Sequence, residues 1–438
     1  MRRSIPLAAL AALSLAACQD GPVTTPAADA SLAASENAPI YIVTFKPGVD
    51  VTSAAADLAR GNGFSVRYLR QHAAPGFSAV IPQGRLAAVM ADPRVDIVEK
   101  DGIVTLRLPR ETARPGGGGG GTQTTPWGIT RVGGAGDGTG KTAWIIDSGI
   151  DMAHTDLNTS RACHVHYAGT SPSDGNGHGT HVAGTVAARN NSQDVVGVAA
   201  NAYVCSVRVL GNSGSGTWEG VINGINYVAA NGRTGDVANM SLGGSGSNAS
   251  LEKAVQDAAA KGIKMVLAAG NDGADANNFT PARTNGPNIY TIYATDSNDC
   301  MASWSNWGNP PVDYAAPGVS ILSTKKGGGT TTMSGTSMAA PHVAGILLLG
   351  GIRTSGSAKC DPDGNPDPAR GIRMITAGTG GEPGNPPDVE PPTISEVRIY
   401  NTPGVIRMDL RDGSYSWRFI PIAGLSQPPT DSGNESCH

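Results

Sequence analysis

Phenylalanine is scarce in this sequence of 438 residues, which has only five, whereas glycine and proline are abundant at sixty and thirty. A chain of this composition is rich in tight turns and close backbone contacts, which argues against a helical bundle. Runs of lysine and arginine are missing as well, and the formal net charge is −4. A nucleic acid is therefore not expected as the partner. Hydrophobic residues still make up 39% of the chain, which allows a sizeable core and about two to three domains.

The N-terminus carries an apolar run, and no other segment of the sequence could span a bilayer. After Arg2 and Arg3, residues 5–15 are mostly apolar, and an Ala-Ala-Cys sequence ending at Cys18 follows. This pattern of a basic start, an apolar run and small residues is typical of a secretion signal. About a dozen apolar residues are too few to span a bilayer, which argues against a transmembrane helix. Residues 15–18 resemble the lipobox of bacterial lipoproteins, which implies cleavage before Cys18 and acylation of that cysteine; ordinary signal cleavage is the alternative. We expect a lipoprotein-type signal peptide at residues 1–18 and a flexible tether at residues 19–38.

Residues 39–108 have the pattern of a small α+β domain. Strand-like runs at residues 41–45, 64–69, 77–81 and 95–106 are interrupted by helix-like segments at residues 51–60 and 85–90. This β-α-β-β-α-β order predicts a split βαβ, or ferredoxin-like, domain of about seventy residues. By composition alone, a generic small α+β domain fits equally well.

Two stretches rich in glycine and proline divide the remaining chain. Residues 109–123 include six consecutive glycines, a run typical of a linker and a preferred place for proteolytic nicking. Residues 380–392 are dominated by glycine, proline and acidic residues and open a C-terminal segment, residues 380–438. No function is assigned to that segment.

Residues 124–379 form the large domain in this division. Apolar runs at residues 142–146, 202–210, 236–242 and 263–269 are typical of buried parallel strands. A helix that starts after a Ser250 cap and stops at Gly262 is expected between the last two of these runs. Alternating strands and helices predict an α/β fold, a parallel sheet flanked by helices, with ligands at the carboxyl ends of the strands. Asp147 and Asn271 follow two such ends.

Three short segments carry residues that can form a catalytic triad. They are WIIDSG at residues 144–149, HGTHVAG at 178–184 and GTSMAAPH at 335–342. Asp147, His178 and Ser337 follow one of the known chain orders of a triad. A serine hydroxyl needs a neighbouring base, and imidazole has a suitable pKa; a carboxylate behind it fixes the tautomer. We expect Ser337 as nucleophile, His178 as general base and acid, and Asp147 as orienting carboxylate; a helix cap and a turn are the structural alternatives.

These motifs, the AAGN segment at residues 268–271 and the small domain before them resemble the subtilisin-like serine proteases, nearest to the proteinase K-like branch. The most specific match is GTSMAAPHVAG at residues 335–345. The resemblance implies that Asn271 donates to the oxyanion together with the N–H of Ser337. It also implies that residues 39–108 are an inhibitor-type propeptide, removed by self-cleavage between about Arg110 and Gln123. The acylated Cys18 would then stay with the propeptide.

The same resemblance implies how a polypeptide substrate binds. Two segments would pair with an extended substrate as antiparallel strands, a recognition that depends little on side chains and predicts broad specificity. An uncharged primary pocket would favour an aromatic or aliphatic residue just before the cut bond. The expected substrate-binding residues are Gly214, Ser215, Gly216, Ser241, Leu242, Gly243, Ala269 and Gly270.

Calcium is the one cofactor that we expect, for structure and not for chemistry. The proteinase K-like pattern implies a site formed by Asp313 with the carbonyls of Pro287 and Ile289. An acidic loop at residues 361–367 is a weaker candidate, because its glycine is misplaced for an EF-hand and Ile372 stands where the glutamate belongs. Five other histidines of the large domain are not expected to bind zinc: His154, His164 and His166 lack metal-ligand spacing, and His181 and His342 are expected to serve packing or hydrogen bonding.

Six cysteines are present, and removal of Cys18 to a lipid site leaves an odd number in an exported chain. Disulfides are expected in an oxidising compartment. Cys163–Cys205 and Cys300–Cys360 are the expected pairs, because each lies within the large domain, and Cys437 is the expected unpaired residue.

Together these features predict an exported serine endopeptidase that is made as an autoprocessed zymogen. It is expected to act on polypeptides as a monomer, with its own propeptide as inhibitor and with a membrane contact only through the lipid on Cys18. After maturation it would be extracellular. Two alternatives remain: a catalytically inactive surface-binding module on the same scaffold, and an esterase without a peptidase role.

Overall fold

The computed structural model describes residues 39–108 and 122–351, and beyond them the backbone of short strands between residues 353 and 436. Several sequence predictions fall outside the described residues. These are the signal peptide, the tether, the glycine run, the acidic loop at residues 361–367, and the residues Cys360 and Cys437.

The first described domain is a four-stranded antiparallel sheet with two helices. Its sheet order, β2-β3-β1-β4, is the order of a split βαβ domain. Helix α1 begins after Asp50, whose side chain accepts the N–H of Ser53, and it ends at Gly63 in the left-handed conformation. The elements are β1 (Ile40–Phe45), α1 (Val51–Asn62), β2 (Val66–Arg70), β3 (Gly76–Val80), α2 (Gln83–Met90) and β4 (Val95–Lys100).

The large domain is built on a nine-stranded sheet that follows a short strand, β5 (Ile103–Thr105). From one edge the order is β8-β10-β7-β12-β14-β16-β17-β21-β20, and each neighbouring pair is parallel except the last. The strands are β7 (Thr142–Asp147), β8 (Val165–His166), β10 (Tyr203–Arg208), β12 (Val237–Met240), β14 (Lys264–Ala268), β16 (Ile289–Thr295), β17 (Val312–Pro317), β20 (Arg353–Ser357) and β21 (Arg373–Thr376).

Helices cover both faces of this sheet, which confirms the predicted α/β architecture. On one face α7 packs on β12, β14 and β16 and beside α4; α5 and α6 pack together on the other face. The helices are α3 (Trp127–Arg131), α4 (His178–Ala187), α5 (Trp218–Asn231), α6 (Ala249–Ala260) and α7 (Thr336–Leu349).

Strand β7 shows why the central strands are apolar along their whole length. Ala143 and Ile145 belong to the core cluster on the face of α4 and α7, whereas Trp144 and Ile146 belong to the cluster on the face of α5 and α6. Alternate side chains of a strand point to opposite faces, so a strand covered on both sides buries every residue. Full burial of each large side chain contributes about 1.5–3 kcal/mol.

The start of α6 differs from the prediction that Ser250 caps it. The cap is Asn248, whose side chain accepts the N–H of Leu251 at 2.8 Å, and the helix starts at Ala249. Ser250 instead lies at the domain interface, where its hydroxyl accepts that of Thr44. The helix ends at Ala260 with Lys261 as its C-cap, and Gly262 follows with φ +82°. The predicted stop at Gly262 is therefore close to the observed end.

Short strands complete the described chain. Among the described residues, none of the helices is long and apolar enough to cross a bilayer. The remaining strands are β6 (Gly136–Asp137), β9 (Ala199–Ala200), β11 (Ser215–Thr217), β13 (Gly244–Ser245), β15 (Phe279–Thr280), β18 (Ile321–Thr324), β19 (Thr330–Met333), β22 (Ser395–Arg398), β23 (Gly404–Arg411), β24 (Ser414–Pro421) and β25 (Ser432–Ser436).

Candidate active site

Asp147 and His178 meet at the carboxyl edge of the sheet. Asp147 is the last residue of β7, His178 is the first of α4, and both side chains are fully buried. Nδ1 of His178 lies 2.8 Å from Oδ1 and 3.0 Å from Oδ2 of Asp147. Because Nδ1 faces a carboxylate, it carries the proton, which leaves Nε2 as the basic nitrogen. Nε2 is buried and has no hydrogen-bond partner among the described residues.

A second carboxylate, Asp174, holds the start of α4 in place. It accepts the N–H groups of Gly177 and Thr180 at 2.8 and 3.0 Å, and it also accepts the hydroxyl of Ser148 at 2.9 Å. That hydroxyl in turn accepts the N–H of Gly179 at 3.0 Å. Asp174 therefore caps the helix that carries His178 and ties it to the residue after Asp147.

Gly179 is required by the close approach of α4 to the end of β7. A Cβ at this position would overlap the carbonyl oxygen of Gly149 and contact the side chain of Asp147. A larger residue would therefore push His178 away from its carboxylate.

Ser337 lies in the first turn of α7, at the positive end of the helix dipole. Its hydroxyl donates to the carbonyl oxygen of Ser241 at 3.3 Å, and the hydroxyl of Ser241 donates to the carbonyl of Ser337 at 2.8 Å. The side chain is nearly buried, with 5% exposed. These two hydrogen bonds tie the start of α7 to the loop after β12. Within the described residues, the hydroxyl of Ser337 does not form a hydrogen bond with Nε2 of His178.

Asn271 is oriented by the same helix terminus. Its Oδ1 accepts the N–H of Thr336 at 2.8 Å and the hydroxyl of Thr336 at 3.0 Å. Nδ2 must therefore point the other way, where it donates to the carbonyl oxygen of Arg107 at 2.6 Å. Gly270 before it has φ +108°, a backbone region that suits glycine.

A strand of the chain itself lies in the cleft beside these residues. Strand β5 pairs antiparallel with β11, with Val104 opposite Gly216 and Thr105 opposite Ser215. The N–H of Leu106 continues the pairing to the carbonyl of Gly214 at 2.9 Å. Residues 214–216, which the sequence predicts to bind an extended substrate, are therefore paired with an extended segment of the chain itself.

The pocket under this strand has a volume of about 450 Å³, part of it open to solvent. Five of the eight predicted substrate-binding residues line it, and the other three, at residues 214–216, pair with β5 as described above. The predicted lining residues are uncharged, and Asp272, which was not predicted, also borders the pocket. The five lining residues are Ser241, Leu242, Gly243, Ala269 and Gly270.

Two further histidines are buried near the site. Burial, with a smaller effect from His178, lowers the pKa of His181 to about 3, and burial lowers the pKa of His342 to about 4. Their rings bond to the carbonyls of Ile321 and Met338. Both are therefore neutral packing groups at working pH, as the sequence predicts.

Calcium at Asp313 stays a prediction. Asp313 lies in β17, its carboxylate accepts the N–H of Thr291 at 2.8 Å, and burial raises its pKa to about 6. Within the described residues, no group of three or more acidic, histidine or cysteine side chains is placed so that it could hold a metal ion.

A different oxygen-rich group, centred on Asp156, was not predicted from the sequence. Its carboxylate accepts Nδ2 of Asn191 at 2.9 Å and the N–H of Val195 at 3.2 Å. The Gln123 amide lies 2.6 Å from the carbonyl oxygen of Arg189 and 3.2 Å from that of Val195. Both amides direct their nitrogens at these oxygens, so the carboxylate and the two carbonyls are the oxygen ligands on offer to Ca²⁺, and the two amide oxygens would join them after half a turn of each amide group. Burial raises the pKa of Asp156 to about 7, so a cation would relieve the cost of its charge.

The cysteines agree with one predicted pair. Cys163 and Cys205 form a disulfide, with their Cα atoms 5.4 Å apart. Cys300 is also disulfide-bonded, and the prediction that Cys360 is its partner concerns a residue outside the described range.

Known proteins resemble this chain closely. The model of the subtilase family matches residues 138–350. Subtilisin-like serine protease AsES of Sarocladium strictum is 39% identical over 322 residues, which are 70% of this chain and 78% of the relative. Proteinase R of Parengyodontium album is 35% identical over 352 residues, which are 76% of this chain and 88% of the relative. The chain belongs to the subtilase family.

The subtilase is thus a serine-type endopeptidase by family, and its sequence resemblance to the proteinase K-like branch is confirmed. Among solved structures, a cold adapted subtilisin-like serine proteinase shares 38% identity with it. That match covers 57% of the subtilase and 97% of the other chain, with a TM-score of 0.48.

Three residues of the subtilase site were not predicted from the sequence: Asp174, Thr336 and Asp272. Asp174 stands four residues before His178, and an acidic residue just before a helix start is a capping signal that could have identified it. Thr336 and Asp272 each adjoin a predicted residue, but their contacts join distant parts of the chain and leave no local pattern.

Proposed function

We propose that this subtilase is an exported endopeptidase that hydrolyses polypeptides through an acyl-enzyme on Ser337. One observation carries the proposal. Residues of the chain itself lie in the cleft as an extended strand, and two residues after it the carbonyl of Arg107 accepts the amide N–H of Asn271 at 2.6 Å. A substrate bound in this way presents one carbonyl to an oxyanion donor beside a serine at a helix start.

In the first half of the reaction Ser337 Oγ attacks the carbonyl carbon and its proton passes to Nε2 of His178. Asp147 stabilises the imidazolium through Nδ1. The carbonyl electron pair moves to the oxygen, where Asn271 Nδ2 and the N–H of Ser337 stabilise the negative charge. Collapse of this intermediate breaks the C–N bond, and His178 gives its proton to the leaving amine.

The second half repeats these steps with water as the nucleophile. His178 Nε2 takes a proton from the water, whose oxygen attacks the ester carbonyl. The oxyanion again forms at Asn271, and Ser337 leaves with the proton returned by His178. The products are a carboxylic acid and the free serine, so no cofactor enters the chemistry.

Residues 39–108 act in this proposal as an inhibitory propeptide. Their contacts with the large domain support the assignment, because two of their carboxylates cap its helices. Glu99 accepts the N–H groups of Ala249 and Ser250 at the start of α6, and Asp101 accepts the N–H of Glu219 at the start of α5. The strand between these caps and Arg107 blocks the cleft until it is cut and released.

Structural calcium is part of the proposal. Asp156, Gln123, Asn191 and the carbonyls of Arg189 and Val195 would hold one ion, and Asp313 would hold another as the family resemblance implies. The first ion would link the residues just after the glycine run to the loop after α4, which stabilises the fold and takes no part in bond cleavage.

The export route follows from the N-terminus. Signal cleavage at Cys18 and acylation would anchor the zymogen to the cell envelope. Removal of the propeptide would then free a monomeric enzyme of broad specificity into the medium.

A serine-reactive fluorophosphonate and casein hydrolysis test the function. The wild-type protein should label and digest casein, and Ser337→Ala should do neither, while it melts cooperatively as the folded, unprocessed chain. Ser160→Ala, which changes an exposed serine, is the matched control and should behave as wild type. A folded wild-type protein that does not label would contradict the proposal and favour the inactive module. Turnover of esters without peptides would favour the esterase.

A further inference from the structure

The register of the strand in the cleft singles out one peptide bond. Val104 and Thr105 pair with β11, Leu106 bonds to Gly214, and the carbonyl of Arg107 receives the amide of Asn271. We propose that the Arg107–Leu108 bond is the first bond that the enzyme cuts in its own chain, and that Asp272 recognises the arginine before it. This inference rests on the proposed function and adds the bond and the residue that selects it.

Leu108 is placed on the far side of this bond by the same helix start. Its Cδ2 lies 3.5 Å from where a Cβ on Gly335 would stand, two residues before the nucleophile. The residues on both sides of the bond therefore lie against the N-terminus of α7. Attack by Ser337 Oγ on the Arg107 carbonyl carbon breaks the bond to Leu108 N, and His178 supplies the proton that the new amine takes.

Two carboxylates fix which residue reaches Asn271. Glu99 is bound at the start of α6, and Asp101 together with the carbonyl of Gly102 is bound at the start of α5. Only an extended segment follows before Arg107, so a slip by one residue would break the pairing with β11 and reverse the faces of the strand. The contacts of the small domain therefore determine that the carbonyl of Arg107, and not that of a neighbouring residue, lies at Asn271.

The side chain of Arg107 forms an ion pair in addition to any contact with the apolar pocket. Its Nη1 lies 2.8 Å from Oδ1 of Asp272, the single carboxylate among the described residues that line the pocket. Asp272 is itself held in place, because its N–H donates to the side chain of Asn306. The arginine is 60% exposed and the aspartate 26%, so the pair adds selectivity at the rim while the pocket below stays free for apolar residues.

This placement differs from the processing site expected from the glycine run, between Arg110 and Gln123. That region begins after the residues held in the cleft. Residues 123 and 124 are already bound to the large domain. The N–H of Gln123 donates to the backbone carbonyl of Ser192 at 3.1 Å, and the N–H of Thr124 donates to the backbone carbonyl of Asp194 at 2.9 Å. A cut at Leu108 thus separates the residues held by the propeptide from those held by the mature domain.

The wild-type full chain, refolded from denaturant at low concentration and stopped with acid at successive times, tests the bond in its own cleft, and the Ser337→Ala chain treated in the same way is the uncut control. Intact masses at successive times should show one fragment that ends at Arg107 and one that begins at Leu108 before any other cut. A first cut within residues 110–123, or none, overturns the inference while casein digestion by the same wild-type enzyme keeps the proposed function. A wild-type protein that neither labels nor digests casein overturns both.

Peptide pairs test the role of Asp272. Substrates ending in Val-Thr-Leu-Arg and Val-Thr-Leu-Gln before a fluorogenic group should differ about two- to fivefold in kcat/KM with the wild-type enzyme, the size of an exposed ion pair. Asp272→Asn should bring the ratio of the arginine to the glutamine substrate near one. Asp275→Asn, which removes a carboxylate from the same loop but keeps its capping oxygen, should preserve the ratio. An unchanged ratio in Asp272→Asn would refute the recognition.

Discussion

The carboxylate of Asp174 offers the sharpest test of how the site is held together. It is 5% exposed and accepts five hydrogen bonds, from the hydroxyl of Ser148, the N–H groups of Asn176 and Gly177, and both donors of Thr180. We expect Asp174→Asn to lower both stability and kcat, although the residue contacts neither substrate nor Ser337.

The size of the expected loss of stability follows from the hydrogen-bond partners of Asp174. Asparagine keeps one acceptor oxygen and turns an N–H towards Thr180 N, which loses its partner at a cost of about 1–3 kcal/mol. The three bonds to the remaining oxygen lose their charge assistance, about 1 kcal/mol or less each, and α4 loses a favourable charge at its start. A total of about 3 kcal/mol corresponds to a fall of about 6–12 °C in the melting temperature of a domain of this size.

Differential scanning calorimetry on protein inhibited with the fluorophosphonate, at one scan rate, measures the fall without autolysis. Steady-state kinetics should show kcat reduced by up to about 10²-fold with KM little changed, because His178 shifts while the cleft strands stay in place. Asp137→Asn is the control, since that exposed carboxylate also accepts the donors of a threonine but lies at the surface, at the end of β6. If Asp174→Asn melts within about 2 °C of wild type, the reasoning is wrong.

Three further predictions concern the metal, the disulfide and the oxyanion. With the pKa of Asp156 raised to about 7 by burial, the metal-free protein loses stability as pH rises from about 4 to 7, and calcium at 100 Kd should restore about 2.7 kcal/mol there. EDTA should therefore lower the melting temperature more at pH 8 than at pH 5, and Asp156→Asn should reduce the difference. Loss of the Cys163–Cys205 bond, which spans 42 residues, should cost about 2–4 kcal/mol in a Cys163→Ala/Cys205→Ala protein measured by calorimetry. Asn271→Ala should reduce kcat about 10²–10³-fold in single-turnover assays, a range measured on subtilisin itself, and a loss confined to KM would contradict the role.

Sequence patterns could predict the sheet because its strands are buried on both faces. A continuous apolar run such as that of β7, followed by a polar residue and glycine, is typical of a buried parallel strand. Helix ends were less predictable, as α6 shows: Ser250 and Asn248 are both good caps, and the packing of residue 250 against the small domain decides between them. Local propensity alone does not contain that contact.

The oxygen group around Asp156 marks the limit of prediction from motifs. Two of its donors are backbone carbonyls, which any residue supplies, and the others come from Gln123 and Asn191 in separate segments. The ion pair of Arg107 with Asp272 joins residues 165 positions apart, so neither residue type nor spacing predicts it. The group around Asp156 becomes visible only in the folded large domain, and the ion pair only when the residues after the small domain lie against it.

The cleft also shows why an arginine can stand before the cut bond of an enzyme with an apolar pocket. Each backbone hydrogen bond of the strand contributes about 0.5–1.5 kcal/mol, and the caps by Glu99 and Asp101 add charge-assisted bonds to helix starts. The exposed pair of Arg107 with Asp272 adds only about 0.2–1 kcal/mol. Backbone pairing therefore decides which bond is presented, whereas the side chain adjusts how fast it is cut. Foreign substrates lack the two caps, so for them the pocket and Asp272 should weigh more in the choice of bond than they do for the enzyme's own chain.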